Sequence, residues 1–515
     1  MKSSESTSSE ELVKKGKTNA LSGLLYFFVN TITAFIINPI LVNYLGSYYF
    51  GIWKSIDKFL GFASVANGQG SQALKWTIAN HEADDDYAQK KRYVASSIIV
   101  WFIFLPILIM IIGLFIYLSP SLIKNIDPSD YTLLYWIVFL LGINLILTPL
   151  FDIPASVLVG TNQGNLANNI KTIWLVAAFF ITYIIVVSLG YGLKALALSI
   201  IAITVLRGVN YLVTCKKRIA WFGYLKPSKS ELKTFFAFSS WKLVWAFVSR
   251  FLLSSEIIFL SILVGPTSVS KYIFTSYIPV TGILIAAIVT SAFNPGIGRL
   301  IGNKEFIKSQ KFIANLREFV VSFSILIGAM TLLLNKSFVF LWAGEELFLG
   351  SMINMLLVLI MIQLVLIRNE AFLIDLSLNI KTKVLLGIIS VIFSSTFAVV
   401  GYLYISNSII SIFIGIFLGR LILLFVFPII TNKMIKNSKS LGIPFKVSIS
   451  AIIILSISYI LGDGQTLKNW YELILIGGLE FIVCSIIVYN LLLAQDNKLL
   501  IKSKIFKLVG RDENS

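Results

Sequence analysis

Residues 100–118 read VWFIFLPILIMIIGLFIYL, nineteen positions without a charged side chain. A helix needs roughly 20 mostly apolar residues to cross a bilayer. Similar runs fill the 515-residue chain almost end to end, and the whole sequence is 57% hydrophobic and 13% charged. A water-soluble domain could not cover so much apolar side chain with polar surface. The runs lack the period-two alternation of a barrel, so the chain is predicted to be an all-α polytopic membrane protein.

The apolar runs can be divided into about fourteen predicted membrane spans, each long enough to cross the hydrocarbon core. They are 20–45, 50–74, 93–118, 131–159, 166–189, 191–213, 234–265, 269–297, 312–341, 351–379, 384–405, 408–431, 447–461 and 471–494.

The basic residues predict how these spans are oriented. The formal net charge is +18, and most Lys and Arg residues lie in alternate short loops. Cytoplasmic loops are enriched in basic residues, so both termini are predicted to be cytoplasmic, in a bacterial inner membrane. Charge in scattered short loops does not predict a nucleic-acid partner. The loops assigned to the outer side carry little beyond Lys124, Lys271, Lys336 and Lys468, whereas Lys381 and Lys383 are assigned to a cytoplasmic loop.

A short pattern occurs twice in the chain. LVNYLGSYYFGIW at 41–53 joins the first two spans, and LSILVGPTSVSKY at 260–272 joins the seventh and eighth. Gly46 aligns with Gly265, and Trp53 aligns with Tyr272. An even number of spans separates the two, so the halves would share one orientation, as in parallel transporter repeats. The alternative is that short loops between helices often resemble one another.

This repeat gives the predicted domain organisation: two pseudo-symmetric six-helix lobes followed by a C-terminal helix pair. The segments are a disordered cytoplasmic tail at 1–19, an N-lobe at 20–213, a basic linker at 214–233, a C-lobe at 234–432, the helix pair at 433–494 and a basic cytoplasmic tail at 495–515.

Charged side chains inside the spans are the strongest functional signal, since each is costly near the bilayer centre. Lys54, Asp57 and Lys58 in span two share one helix face, and Lys54 can reach Asp57. This face either lines the outer half of a central cavity or lets its lysines snorkel to the headgroups. Asp57 is too short to snorkel, which favours the cavity. In span seven, Arg250 is close to mid-membrane if 234–265 is one helix, and it is predicted to face the lumen. Glu256 either pairs with a neighbour or binds a proton or cation.

Span ten carries three further charges. Arg368 and Asp375 share a face but lie two turns, roughly 10 Å, apart along the helix. Arg368 is therefore expected to meet an acid on another helix or the substrate, and Glu370 is a candidate for pairing or coupling. Asp375 lies near the inner boundary. Asp152 in span four stands between two prolines, where either a gate or a plain kink is expected. Arg207 and Arg420 are expected to snorkel at the cytoplasmic ends of their spans.

No catalytic motif is found. The chain has no Gly-x-x-x-x-Gly-Lys-Ser/Thr loop for nucleotide phosphates. The sole histidine, His81, lies beside an acidic run that fits a solvated loop better than a metal site, and no metal or cofactor is expected. The predicted outer loops do not exceed roughly fifteen residues, about the size of ordinary connections. An enzyme that holds a sugar acceptor outside the bilayer is therefore not expected.

The chain resembles the polysaccharide flippases of the multidrug/oligosaccharidyl-lipid/polysaccharide exporter (MOP) superfamily, which move O-antigen and capsule units. The matching stretches are YLGSYYFGIW at 44–53, GSQAL at 70–74 with Ile78 and Ala79, and EIIFLSILVG at 256–265. The family usually has Asp followed by a basic residue where this chain has Glu256 and Ile257.

The resemblance implies a substrate, namely an undecaprenyl-diphosphate-linked oligosaccharide moved to the outer leaflet for surface polysaccharide or lipopolysaccharide synthesis. Lys54, Lys58, Arg250 and Arg368 are expected to neutralise the diphosphate as the lobes rock. Membrane lipids and polysaccharide polymerase machinery are the expected partners. A drug antiporter of the same architecture or a non-transporting scaffold is the alternative. Coupling to a H⁺ or Na⁺ gradient would involve acids among Asp57, Asp152, Glu256, Glu370 and Asp375.

Overall fold

The computed structural model describes residues 2–82, 84–237, 240–376, 380–405, 408–436, 444–495, 497–499 and 502. Within these residues, thirteen helical segments are long and apolar enough to cross a membrane. The first of them, Lys14–Asn67, contains two predicted spans that meet at Gly46. The prediction of an all-α polytopic chain with about fourteen spans is confirmed.

The helices follow the predicted spans with few exceptions. They are α1 (Lys2–Ala63), α2 (Gly70–Asn80), α3 (Tyr87–Leu122), α4 (Tyr131–Phe151), α5 (Ile153–Gly160), α6 (Gly164–Tyr183), α7 (Leu193–Arg218), α8 (Lys229–Ala237), α9 (Ser240–Leu263), α10 (Pro266–Thr275), α11 (Tyr277–Gly302), α12 (Phe306–Ala343), α13 (Ser351–Asp375), α14 (Ile380–Tyr404), α15 (Ser408–Met434), α16 (Phe445–Gly464) and α17 (Trp470–Leu492). Short 3₁₀ turns lie at Ser64–Asn67, Pro128–Asp130 and Glu345–Leu347, and a π-helical turn lies at Ile184–Ser188.

The structure departs from the predicted boundaries at several places. Helix α1 begins at Lys2, so the tail expected to be disordered is helical over its described residues; it contains no proline, and Glu and Lys favour helix. Span two is interrupted after Ala63 and resumes as α2. Predicted span seven, 234–265, is described as α8 up to Ala237 and as α9 from Ser240, and residues 238 and 239 lie outside the described residues.

The chain forms two compact units, Met1–Ser270 and Lys271–Ser515. The division lies beyond the linker predicted at 214–233, because α9 packs on α1 within the first unit. The tail predicted at 495–515 lies mostly outside the described residues.

In the first unit, the two copies of the repeated pattern pack against each other. Gly46 and Gly265 both adopt positive φ, 77° and 133°. A Cβ on Gly51 would lie 1.9 Å from the carbonyl oxygen of Pro266, so only glycine allows this approach. The Ser270 hydroxyl donates to the Ser47 carbonyl.

These two contacts are related by the repeat. Aligning Gly46 with Gly265 places Ser47 on Pro266 and Gly51 on Ser270. The contacts 47–270 and 51–266 are therefore reciprocal, as at a two-fold axis, where residue i meets j and j meets i. The geometry fits a duplicated pair of spans better than a chance likeness of loops.

The second unit contains a close helix pair, α14 and α15. A Cβ on Gly415 would lie 2.4 Å from Ala398 N, and one on Gly419 would lie 2.2 Å from Ser394 N. Small residues at spacing four let helix backbones approach closely in lipid, where packing rather than hydrophobic burial drives association. The C-terminal end of α16 makes a similar approach, since a Cβ on Gly462 would lie 2.0 Å from Leu332 O of α12.

Candidate functional site

The first unit contains a cavity of about 410 Å³ among its apolar helices. Most of the side chains that line it are polar or charged, although the surrounding spans are strongly apolar. The polar lining residues are Asp57, Lys58, Ser64, Asn67, Gln69, Ser71, Gln72, Asn144, Thr148, Asp152, Arg250 and Ser254. Such a cavity can hold the hydrated part of a substrate that hydrocarbon would exclude.

The interruption of span two forms one wall of the cavity. After Ala63 the chain makes a 3₁₀ turn, and Gly68 and Gln69 both adopt left-handed conformations before α2 begins. Asn67 stabilises this turn by accepting a 2.9 Å hydrogen bond from the Gln69 amide. A Cβ on Gly68 would lie 2.5 Å from the Phe104 ring, so a side chain there would meet both strain and a clash.

The interruption also turns the N-terminus of α2 toward the cavity. The first residues of this helix, including Ser71 and Gln72, line the cavity, and Gln69 makes no side-chain cap. The first amides of a helix lack intrahelical partners and carry partial positive charge. This end of α2 therefore favours an anionic or strongly polar ligand.

A second interruption, in span four, lies at the same cavity. Helix α4 ends at Phe151 and α5 begins at Ile153, with Asp152 between them and prolines at 149 and 154. Asp152 lines the cavity, and its Oδ1 lies 3.9 Å from an Nη2 of Arg207. The expectation that Arg207 snorkels is wrong, because its guanidinium group pairs with the Asp152 carboxylate. Asp152 is thus a cavity residue, and its backbone keeps helical dihedral angles with its amide bonded to the Thr148 carbonyl.

The fixed cations of the cavity are Lys58 and Arg250. Lys58 lies 3.5 Å from Asp57, which also lines the cavity. Arg250 lies in the middle of α9, and its Nη1 lies 3.7 Å from where a Cβ on Gly61 would be. Within the described part of the chain, no ion pair involves Arg250, whereas both cavity acids lie next to a base. The four charged side chains that line the cavity balance one another, and Arg207 beside Asp152 adds an excess of one positive charge.

Two other residues predicted for the site are held elsewhere in the first unit. Lys54 donates a 3.0 Å hydrogen bond to Asn38 and lies over the Phe50 ring. Among the described residues the ion pair of Asp57 is with Lys58, at 3.5 Å, and not with Lys54. Glu256 is only 2% exposed, and the Ser255 hydroxyl lies 3.5 Å from its Oε2.

The candidate residues in span ten lie in the second unit. Both Glu370 oxygens accept from the Arg317 guanidinium at 2.6 Å, and Arg317 also donates to Asn432. Asp375 pairs with Lys383. Arg368 lies over the Phe372 ring, and its Nη1 is buried without a hydrogen-bond partner among the described residues.

Sequence reasoning missed two partners and misplaced a third residue. Arg317 lies in span nine but was not recognised as an intramembrane charge. Lys383, assigned to a cytoplasmic loop, is fully buried because α14 begins at Ile380. Arg420, expected to snorkel, is also 0% exposed in α15. Arg317 could have been found by searching for acids and bases at equal depth in different spans, although depth alone does not identify a pair.

Across the described residues, no group of three or more His, Cys, Asp or Glu side chains is arranged to hold a metal ion.

No protein-family model matches the sequence, and no curated protein matches it. Solved structures are similar. An inward-facing multidrug resistance MATE family transporter of the MOP superfamily superposes with a TM-score of 0.60 at 16% identity, covering 81% of this chain and 96% of that one. A Vibrio cholerae MATE transporter superposes with a TM-score of 0.59 at 15% identity, covering 84% of this chain and 99% of that one. A MOP superfamily transporter from Pyrococcus furiosus superposes with a TM-score of 0.57 at 16% identity, covering 82% of this chain and 95% of that one. The chain therefore has the fold of the MATE transporters of the MOP superfamily.

Proposed function

We propose that this protein is an alternating-access transporter that flips undecaprenyl-diphosphate-linked oligosaccharides across the inner membrane. The observation that carries the proposal is the polar cavity between interrupted spans two and four, with Arg250 as a fixed cation. A diphosphate-sugar headgroup cannot cross hydrocarbon unshielded, whereas its polyprenyl chain can stay in lipid.

The charge of the cavity favours an anionic headgroup. Asp57 lies beside Lys58, and Asp152 lies beside Arg207, so each acid is already balanced. Arg250 and the N-terminus of α2 add positive charge to that balance. A guanidinium can bind two phosphate oxygens at once, which makes Arg250 the residue we assign to the diphosphate, with Lys58 beside it.

The uncharged lining suits a sugar. Amide and hydroxyl side chains such as Asn67, Gln72, Asn144 and Thr148 line the same cavity. These groups both donate and accept hydrogen bonds, as sugar hydroxyls do. A cavity of about 410 Å³ has the size of an ordinary small-molecule site, so it would enclose the diphosphate and the first sugars rather than a long glycan.

A second candidate function is the antiport of organic cations. Asp57 and Asp152 line the cavity and could attract a cation if their basic neighbours moved away. The inward-facing structure and the Vibrio cholerae structure are both of MATE transporters, and the first is of a multidrug resistance transporter. The Pyrococcus furiosus transporter, in contrast, is described as having a binding pocket of reverse polarity that suggests a different function. The same fold therefore supports both chemistries, and the charge excess decides our preference.

The proposal includes coupling of transport to a proton or sodium gradient through a membrane acid. Glu370 and Asp375 each have a basic partner that stabilises the charged carboxylate. Ion pairing of this kind fits a structural role better than reversible proton binding. Glu256, buried in α9, is the coupling candidate that we retain.

The experiment compares two substrates in one preparation. The purified protein is reconstituted in liposomes, and we measure the flipping of a fluorescent polyprenyl-diphosphate oligosaccharide and the uptake of a fluorescent organic cation. We expect lipid flipping that is lost in the Lys58→Gln/Arg250→Gln double variant, and no cation uptake. Cation uptake that survives this variant but is lost in Asp57→Asn/Asp152→Asn would establish the antiporter instead.

A further inference from the structure

The second unit contains a separate cavity of about 550 Å³ where α12, α16 and α17 come together. Its charged lining residues are Arg317, Glu318, Lys446 and Lys498, and most of the remaining lining is apolar. The transport proposal does not use this cavity.

The cavity lies at one end of these helices. Lys446 is in the first turn of α16, and the segment that includes Lys498 follows the end of α17. The distribution of basic residues predicts that both of these ends are cytoplasmic. The cavity is therefore at the level of the inner-leaflet headgroups.

Two of its four charges are already engaged. Arg317 binds both oxygens of Glu370, and Glu318 accepts a hydrogen bond from the Ala494 amide. Lys446 is exposed, and Lys498 donates one 2.8 Å hydrogen bond to the Asn490 carbonyl. An ammonium group has three donors, so Lys498 can bind a further acceptor. Glu318 keeps its negative charge, so the two lysines leave the cavity with a net excess of one positive charge.

The apolar part of the lining excludes a purely hydrophilic occupant. Val321 of α12, Val447 of α16 and Leu491 of α17 contribute apolar side chains to the same cavity as the two lysines. A small soluble anion would satisfy the lysines but would leave this surface in contact with water. An amphiphile with a negative headgroup satisfies both parts.

We propose that this cavity binds an anionic glycerophospholipid of the inner leaflet. Its phosphate contacts Lys446 and Lys498, and the beginning of an acyl chain lies on the apolar surface of α12, α16 and α17. Basic pockets between membrane helices on the cytoplasmic side are suited to acidic lipid headgroups. The occupant would hold the C-terminal helix pair against α12.

The test counts lipids bound to the whole purified protein by native mass spectrometry. Phosphatidylglycerol is titrated against phosphatidylcholine, which has the same chains and no net charge. We expect tighter binding of phosphatidylglycerol, and a loss on the order of 30-fold in the Lys446→Gln/Lys498→Gln double variant. Equal binding of the two lipids by the unsubstituted protein would contradict the proposal.

A matched control removes two charges elsewhere on the same predicted side. Lys381 and Lys433 are exposed and lie outside the cavity, so Lys381→Gln/Lys433→Gln should change phosphatidylglycerol binding by less than about threefold. An equal loss in both double variants would mean that the attraction is diffuse and that the cavity is not a site.

Two further arms separate the lipid from a free anion. Ala314 lines the cavity, and Ala314→Trp should occupy the part of it next to α12 and weaken selective binding while every charge is kept. Inorganic phosphate in large excess should not displace the lipid. Full displacement by inorganic phosphate, or unchanged binding by Ala314→Trp, would rule out the amphiphile site.

Discussion

Arg250 and Arg317 are both intramembrane arginines, but their surroundings differ. Arg250 lines a polar cavity, and no described carboxylate forms an ion pair with it. Arg317 is buried, with two 2.6 Å hydrogen bonds to Glu370. A cation that is not neutralised by the protein is available for a substrate, whereas a cation held by a buried acid depends on that acid to compensate its charge.

For Arg250, we expect a loss of transport without a loss of stability. Arg250→Gln should lower the flipping rate by roughly 10- to 100-fold, since a hydrogen bond to a charged group is lost. Arg250→Lys should retain part of the activity. Flipping in liposomes gives the rate, and thermal unfolding in detergent should show an unchanged Tm. Normal flipping by well-folded Arg250→Gln would remove this residue from the mechanism.

For Glu370, we expect a loss of stability when its charge is removed. Glu370→Gln leaves the Arg317 charge buried without a counter-ion and should destabilise the protein by roughly 3–5 kcal/mol. The double variant Arg317→Met/Glu370→Leu should recover much of that stability. Thermal unfolding measures both effects. If Glu370→Gln keeps its Tm but transports nothing, Glu370 acts in coupling and our structural assignment is wrong.

These residue roles show the limit of sequence reasoning. Asp57, Lys58, Asp152 and Arg250 were identified because charge is costly inside an apolar run. The sequence alone does not show which charged side chains on different helices contact each other. The Arg317–Glu370 pair joins positions 53 residues apart, and its existence depends on how α12 and α13 pack.

At the scale of elements, the interruptions of spans two and four bring the polar groups to the cavity. A continuous helix would satisfy its own amides and present only side chains. The interruption after Ala63 instead directs the N-terminus of α2 to the cavity, whereas Asp152 keeps its helical hydrogen bond and contributes its carboxylate. The prolines predicted the second interruption. The first had a weaker signal, Asn67-Gly68-Gln69-Gly70, which the apolar residues on both sides outweighed.

The reciprocal contact between the repeated turns gives an element-scale prediction. Gly51→Ala places a Cβ 1.9 Å from the Pro266 carbonyl oxygen, so the two turns must separate. We expect a destabilisation of about 2 kcal/mol or more, measured by thermal unfolding. Gly113→Ala is the control, because a Cβ there meets nothing within 4 Å and alanine favours helix. Equal Tm values for the two variants would contradict the close contact.

At the scale of the whole molecule, the sequence predicted the all-helical class, the number of spans and the kind of fold. The prediction succeeds because a segment that spans lipid must form its own backbone hydrogen bonds. The length of an apolar run is therefore enough to identify a membrane-spanning helix. The predicted lobe boundaries were less accurate. They depend on whether α9 packs with the helices before or after it, which hydropathy does not record.

The predicted orientation in the membrane can be tested with single cysteines. The native Cys215 and Cys484 are both buried, so their labelling should be weak. Ser129→Cys should react with a membrane-impermeant maleimide on intact cells, because its loop is predicted to be outside. Lys381→Cys should react only after the cells are opened. The reverse pattern would invert the topology and the direction of transport.

The central claim is that the headgroup of a lipid-linked oligosaccharide occupies the cavity beside Arg250. The most direct measurement places a photo-crosslinking amino acid at Thr148, which lines that cavity, and at Lys381, which does not. We predict that position 148 captures a radiolabelled polyprenyl-diphosphate oligosaccharide, that Arg250→Gln lowers the yield at least about tenfold, and that position 381 captures none. Equal capture at both positions, or capture at 148 that is indifferent to Arg250, would contradict the account.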